Sequence, residues 1–64
     1  MNFVRLTNID GNPVAINLDT VSEMIEIPGT YDENRKTRIL YIFMVENNHA
    51  FSDVTQTIDE ILDH

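Results

Sequence analysis

The strongest constraint in this sequence is an uninterrupted run of seven apolar residues at positions 39–45. Most of them are β-branched or aromatic, and the length of the run suits a strand better than a helix. A strand with one face in water alternates apolar and polar residues, whereas this run is apolar at every position. We therefore predict a strand that has to be covered on both faces.

Alternating residues on either side of Asp10-Gly11 predict a β-hairpin formed by residues 2–8 and 14–18. The Asp-Gly pair accommodates the positive φ angles of a tight turn. Pro13 has no amide hydrogen to donate to a neighbouring strand, so it suits the end of such a turn.

Turn-forming residues divide the rest of the chain into short segments. We expect a turn or a single helical turn at residues 17–20, a strand at 21–27, a charged loop at 30–37, a turn at 46–49 and a short strand at 50–51.

The C-terminal residues predict an amphipathic helix. Asp53 is a good N-cap, and Gln56 three positions later completes a capping box. Apolar residues then recur at helical spacing along one face; they are Val54, Ile58, Ile61 and Leu62. The predicted fold is a single α+β domain spanning residues 1–64, with a small antiparallel sheet of four or five strands and one C-terminal helix.

One short helix covers only about one face of such a sheet. Leaving roughly three or four large apolar side chains in water forgoes several kcal/mol, at about 25 cal/mol per Å². A domain this small has little stability to lose. We therefore expect self-association, by packing of sheet on sheet or by pairing of strand edges across a two-fold axis. The alternative is a strongly coiled sheet that folds over itself. The residues expected at the self-association interface share one face of the strand: Ile39, Tyr41, Phe43 and Val45.

The sequence is strongly acidic, with 11 Asp and Glu residues against four Lys and Arg residues and a formal net charge of −7. Direct binding to nucleic acid is disfavoured, because neutralising phosphates requires clustered basic residues. The N-terminal residues lack the pattern of a signal peptide, and no apolar run is long enough to cross a membrane. We expect a cytoplasmic protein that binds neither nucleic acid nor membranes.

No residue pattern indicates catalysis, a metal site or a cofactor. The chain has no cysteine, which excludes disulfides and thiolate ligands. Its histidines, His49 and His64, are too few for a zinc site. Asp10-Gly11-Asn12 begins like a calcium loop, but the acidic ligands required further along are missing. We predict that the protein is not an enzyme.

Residues 30–37 have no apolar period and carry charges of both signs, as solvated loops do. Loops on a rigid sheet commonly carry function, and an aromatic residue beside charges suits an interface anchor. The alternative is a flexible connector. The candidate partner-binding residues are Tyr31, Asp32, Glu33, Arg35 and Lys36. The next candidate surface is the acidic helix face formed by Asp59, Glu60 and Asp63.

Four segments carry a resemblance to a known family. Residues 6–11 form a Leu-Thr-Asn-Ile-Asp-Gly hairpin, and residues 16–21 contain an asparagine-x-aspartate turn. An acid-rich strand then leads to Gly29-Thr30, and a final strand leads into the acidic helix at residues 57–61. This order resembles the small FlbD-like proteins of bacterial flagellar operons and related short proteins of bacteria and phages. The chain departs from them in its charged loop and at Asn47-Asn48, where the family tends to have Asn-Gly. The resemblance implies a small cytoplasmic accessory protein without catalytic residues.

The sequence supports two functions of different classes. The first is a non-enzymatic, self-associating protein-interaction module, related to motility or encoded by a phage, whose partners are itself and an unidentified protein. The alternative is an acidic phage-type inhibitor or sponge that binds a host defence protein, a nucleic-acid enzyme or a nucleotide signal. Small acidic proteins can imitate a phosphate backbone, but here the acids are spread along the chain, which favours the first function.

Overall fold

The computed structural model describes residues 2–27 and 34–63. These residues form β1 (Phe3–Thr7), β2 (Pro13–Asn17), a 3₁₀ helix (Leu18–Thr20), β3 (Val21–Glu26), β4 (Thr37–Val45), β5 (Asn48–Val54) and α1 (Ile58–Leu62). The strands build two antiparallel sheets, β1-β2 and β3-β4-β5. The α+β class with a C-terminal helix is confirmed, and the prediction of one sheet with four or five strands is wrong.

Backbone contacts join the two sheets where β1 and β5 end. Asn8 and Val54 form an isolated bridge, and the amide of Thr55 donates to the carbonyl of Thr7 at 2.9 Å. The next hydrogen bond to β1 comes from a side chain, since the amide of Thr7 donates to Oε1 of Gln56 at 2.9 Å. The side chain of Gln56 therefore takes the place of a continued β ladder.

The predicted N-terminal hairpin is confirmed. The amide of Asn8 donates to the carbonyl of Asn12 at 2.9 Å, and the side-chain oxygen of Asn8 accepts from the amides of Asp10 and Asn12. Gly11 has a φ of +87°. A Cβ atom at Gly11 would meet no atom within 4 Å, so the turn needs glycine for its backbone angle rather than for space.

The segment between the hairpin and β3 is the predicted single helical turn. The side chain of Asn17 caps the 3₁₀ helix by accepting from the amide of Asp19 at 3.0 Å. The hydroxyl of Thr20 donates back to the carbonyl of Asn17 at 2.8 Å. These local hydrogen bonds lead the chain from β2 into β3. The bounds of β3 agree with the strand predicted at residues 21–27.

The β4–β5 hairpin extends beyond the end of β3. The pairing of β3 with β4 begins at Val21 and Tyr41, whereas β4 continues to Val45 beside β5 alone. The two hairpin strands join through Glu46 and Asn47, which have φ angles of 51° and 69°. Two consecutive positive φ angles are the signature of a two-residue type I′ turn.

The helix begins later than the sequence pattern predicted. Its N-cap is Thr57, whose hydroxyl accepts from the amide of Glu60 at 3.2 Å while the Glu60 carboxylate accepts from the amide of Thr57 at 3.0 Å. The predicted N-cap, Asp53, lies in β5 opposite Arg38, and Val54 pairs with Thr37 in the sheet. Cross-strand pairing and burial therefore override the local capping pattern at Asp53.

The core lies between the two sheets and α1. Its buried apolar residues are Val4, Leu6, Ile16, Ile39, Val54 and Ile61. Thr37 is buried as well, and its hydroxyl donates to the carbonyl of Gln56 at 2.7 Å, so its polar group is satisfied. The first half of β4 is thus covered within one copy of the chain, as in the alternative of a sheet that folds over itself.

Candidate functional site

The most exposed apolar surface of the described chain is the second half of β4. Four consecutive residues are between 53% and 60% exposed. They are Ile42, Phe43, Met44 and Val45, and we name this segment the hairpin tip. Soluble proteins expose single apolar residues routinely, but a contiguous apolar patch marks an interaction surface.

The tip is exposed on both faces because the sheet narrows there. Successive side chains of a strand point to opposite faces, and the face that buries Thr37 and Ile39 continues through Tyr41, which is half-buried, to Phe43 and Val45. Beyond Tyr41, β3 no longer runs beside β4. Neither face of the tip has a layer of the described chain against it.

The four predicted interface residues therefore divide into two groups. Ile39 is fully buried in the core of a single copy, and Tyr41 is half-buried. Phe43 and Val45 are exposed in the tip. The sequence did not separate these groups, because the apolar run shows no break at Tyr41. Ile42 and Met44 belong to the exposed surface although they lie on the opposite face.

The backbone of the tip also presents an open edge. Val45 and Asn48 are the pair that closes a two-residue turn, and such a pair exchanges hydrogen bonds across the hairpin. The amide and carbonyl of the preceding residue, Met44, therefore point away from β5. Among the described residues no strand pairs with that edge beyond Tyr41. The 3₁₀ helix, which directly precedes Val21, also contacts β4. The open edge is centred on Met44.

Tyr41, the residue directly before the hairpin tip, forms two hydrogen bonds to β5. Its hydroxyl donates to Oγ of Ser52 at 2.9 Å, and its carbonyl accepts from Nδ1 of His49 at 2.6 Å. The ring of His49 must carry its proton on Nδ1 for this bond, because a carbonyl only accepts. These bonds lie where the β4–β5 register shifts between Leu40 and Met44, and they hold the shifted segment in place.

A second feature is a groove of about 590 Å³ between the β1–β2 hairpin and the β4–β5 hairpin. Its charges are paired with one another. Asp53, with a 7% exposed side chain, accepts from Arg38 at 2.9 and 3.2 Å and forms an ion pair with Arg35 at 3.3 Å. The guanidinium of Arg38 also lies 4.4 Å from the centre of the Phe51 ring. The bond to Asp53 raises the pKa of Arg38 above its usual value.

The predicted partner-binding loop is described only in part. Tyr31, Asp32 and Glu33 lie outside the described residues. Arg35 pairs with Asp53, and the backbone of Lys36 bonds to Ile27 and Val54. Arg35 and Lys36 therefore help to hold the sheet, a role that the charged sequence of the loop did not indicate.

Within residues 2–27 and 34–63, no three His, Cys, Asp or Glu side chains are grouped so that they could hold a metal ion. No helix in these ranges is long and apolar enough to cross a membrane.

The chain matches no protein-family model, no curated protein and no solved structure. The resemblance to FlbD-like proteins therefore stays a prediction. Function has to be inferred from the chain's own surfaces, of which the hairpin tip is the most distinctive.

Proposed function

We propose that this chain is a non-enzymatic protein-interaction module that associates with further copies of itself through the hairpin tip. The observation that carries the proposal is the exposure of four consecutive apolar residues on one hairpin. Covering such side chains is favourable, and a second copy offers a surface of the same kind.

The size of the tip indicates how strong the association is. Four side chains that are a little more than half exposed present roughly 400 Å² of surface per copy, if a large side chain buries about 150–250 Å². A standard interface buries about 800 Å² per partner. The tip supplies about half of that area, so we expect a weak, reversible association rather than an obligate assembly.

A module of this kind suits a small cytoplasmic accessory protein that brings a second, unidentified protein into contact with its own assembly. The resemblance of its hairpin, turn and closing helix to FlbD-like proteins supports a role related to motility, and the related phage proteins support a phage origin. The genes beside its own gene distinguish these two settings.

The alternative function, an acidic inhibitor or sponge, depends on the exposed acids of the C-terminal helix. Asp59, Glu60 and Asp63 are exposed there. However, the carboxylate of Glu60 already accepts a hydrogen bond from the amide of Thr57 at the helix N-terminus. The hairpin tip contains no acidic residue that could enlarge the acidic helix face. The exposed apolar tip favours the self-associating module.

Sedimentation equilibrium from micromolar to millimolar concentration tests the proposal. We expect a mass that rises above the 7.4 kDa of one chain. Phe43→Asp should return the protein to a folded monomer, because a charge in the tip opposes its burial. Phe3→Asp is the matched control, since Phe3 is 51% exposed and Phe43 53%. A wild-type monomer at every concentration, or a Phe43→Asp variant that associates like the control, would contradict the proposal.

A further inference from the structure

We propose that two copies associate by antiparallel pairing of β4 with β4 of the second copy, around a two-fold axis at Met44. This inference rests on the proposed function and adds its geometry. In this arrangement Met44 lies opposite Met44 of the second copy, and Phe43 lies opposite Val45 of the second copy. The two three-stranded sheets then join side by side through their tips.

The first argument is the direction of the backbone groups. The amide and carbonyl of Met44 point away from β5, because the neighbouring pair Val45–Asn48 closes the turn. Each Met44 can therefore donate to the carbonyl of the other and accept from its amide. An unpaired strand edge is a ready template for this kind of pairing.

The second argument is that the tip is apolar on both faces. Packing one sheet face on another would cover Phe43 and Val45 and leave Ile42 and Met44 exposed, or the reverse. Edge pairing instead brings the side chains on both faces next to those of the second copy. It also creates an aromatic–β-branched cross-strand pair, a combination that stabilises antiparallel sheets.

The third argument compares the tip with two edge strands of the described chain, β2 and β3. The outer edge of β2 contains Pro13, which has no amide hydrogen and blocks pairing. The edge strand β3 carries Glu23 and Glu26, and a two-fold pairing there would bring like charges together. The hairpin tip contains neither a charge nor a proline. Each copy carries a net charge of −7, and pairing through the uncharged tip brings no acidic side chains of β4 together.

Cross-linking provides the first test. The chain has no cysteine, so an introduced cysteine is its single thiol. Residues opposite each other in a hydrogen-bonded antiparallel pair have Cα atoms about 5.5 Å apart, a distance that a disulfide spans. Under mild oxidation, Met44→Cys should form a covalent dimer about tenfold or more faster than Leu62→Cys, because pairing raises the effective concentration of the thiols. Leu62 is the control because it is apolar and 62% exposed on α1.

A backbone substitution provides the second test and changes no side chain. Replacing the amide of Met44 by an ester in synthetic protein removes the outward N–H, and the dimer should then dissociate about tenfold or more readily. The same ester at Ala15 is the control. Its backbone groups also point outward, because the hydrogen-bonded pairs of that hairpin include Asn2 with Leu18 and Asn8 with Asn12.

The outcomes separate the two proposals. If the wild-type protein associates and Phe43→Asp abolishes association, but both Met44 variants behave like their controls, edge pairing is wrong and self-association through the tip stands. If the wild-type protein stays monomeric, both proposals fail. Faster cross-linking at Met44 together with a weaker ester dimer supports both.

Discussion

The rings of Tyr41 and Phe43 stack with their centroids 5.3 Å apart and their planes 7° from parallel. Tyr41 is fixed by its hydroxyl bond to Ser52, while Phe43 is more than half exposed. Aromatic stacking adds roughly 0.5–1.5 kcal/mol beyond area burial. The stack therefore connects the exposed ring of Phe43 in the tip to the half-buried ring of Tyr41 and limits the orientations of the Phe43 ring.

Core and tip residues of the same strand should differ sharply in what they contribute to stability. Ile39→Ala should lower the free energy of unfolding by about 2–5 kcal/mol, because Ile39 is fully buried. Ile42→Ala should change it by less than about 0.5 kcal/mol, because Ile42 is 60% exposed. Urea denaturation in the Phe43→Asp background, where the chain is expected to be monomeric, measures both. Equal losses would mean that the tip is buried in the monomer.

The effect of replacing Gly11 on stability should depend on whether the new residue is an L- or a D-amino acid. Gly11→Val should lower the free energy of unfolding by about 1 kcal/mol or more, because a β-branched L-residue is strained at a φ of +87°. D-alanine at the same position adopts that angle without strain and should raise stability by about 0.4–1 kcal/mol. The melting temperatures of the two variants provide the test, and shifts of the same sign would contradict the assigned turn geometry.

The ion pairs of Asp53 should contribute to stability in a salt-dependent way. Asp53→Asn leaves Arg35 and Arg38 without their carboxylate, and we expect a loss of about 1–2 kcal/mol. The estimate is modest because about a third of each arginine side chain is exposed and solvent screens the charges. Asp19→Asn is the control, since Asp19 is exposed. Urea denaturation should show a smaller loss of unfolding free energy for Asp53→Asn at high salt than at low salt. A loss that is the same at both salt concentrations would contradict a charge effect.

The capping box makes the helix sensitive to acid. Hydrogen bonds from the amide and then the hydroxyl of Thr57 lower the pKa of Glu60, and the nearby Lys36 lowers it further. Because the folded pKa lies below the unfolded one, this stabilisation is present above the unfolded pKa and is lost as the pH falls through the folded pKa. An NMR titration of the side-chain carboxyl carbon should therefore give Glu60 a lower pKa than a model peptide.

Removing the cap tests the cause of that shift. Thr57→Ala should move the pKa of Glu60 back toward its usual value, because it removes one partner and frays the first turn. Thr55→Ala, the same substitution outside the capping box, should leave that pKa where it is. A Glu60 pKa that is identical in both variants would show that the Thr57 hydroxyl does not contribute to the shift.

The elements that local sequence determines were the ones that could be predicted. The Asp10-Gly11 hairpin and the capped turn at Asn17 depend on residues within a few positions of each other. The start of the helix was missed because Asp53 satisfies the local pattern but is engaged by Arg38, 15 residues earlier. The sequence did contain a better signal, since Thr57 and Glu60 have the Ser/Thr-x-x-Glu spacing of a capping box.

The division of the apolar run into a buried half and an exposed half could not be predicted. The boundary between the two halves depends on where the pairing of β3 with β4 begins. That pairing begins at Val21 and Tyr41, next to a register shift between Val21 and Glu23. Nothing in residues 39–45 themselves marks that point. The two-sheet arrangement was missed for a related reason, because the side chain of Gln56 rather than a strand occupies the edge of β1.

Two hydrogen bonds join Thr7 to Gln56, which lies 49 positions later in the chain. The Thr7 amide donates to Oε1 of Gln56, and the Thr7 hydroxyl accepts from Nε2 of Gln56. Hairpins form in about 1–10 μs, whereas closing a long loop loses entropy before its contacts are gained. The hairpins should therefore form early, and their joining through Gln56 should be the slow step of folding. We therefore expect the folding rate to depend on how quickly Gln56 reaches Thr7, 49 positions earlier in the chain.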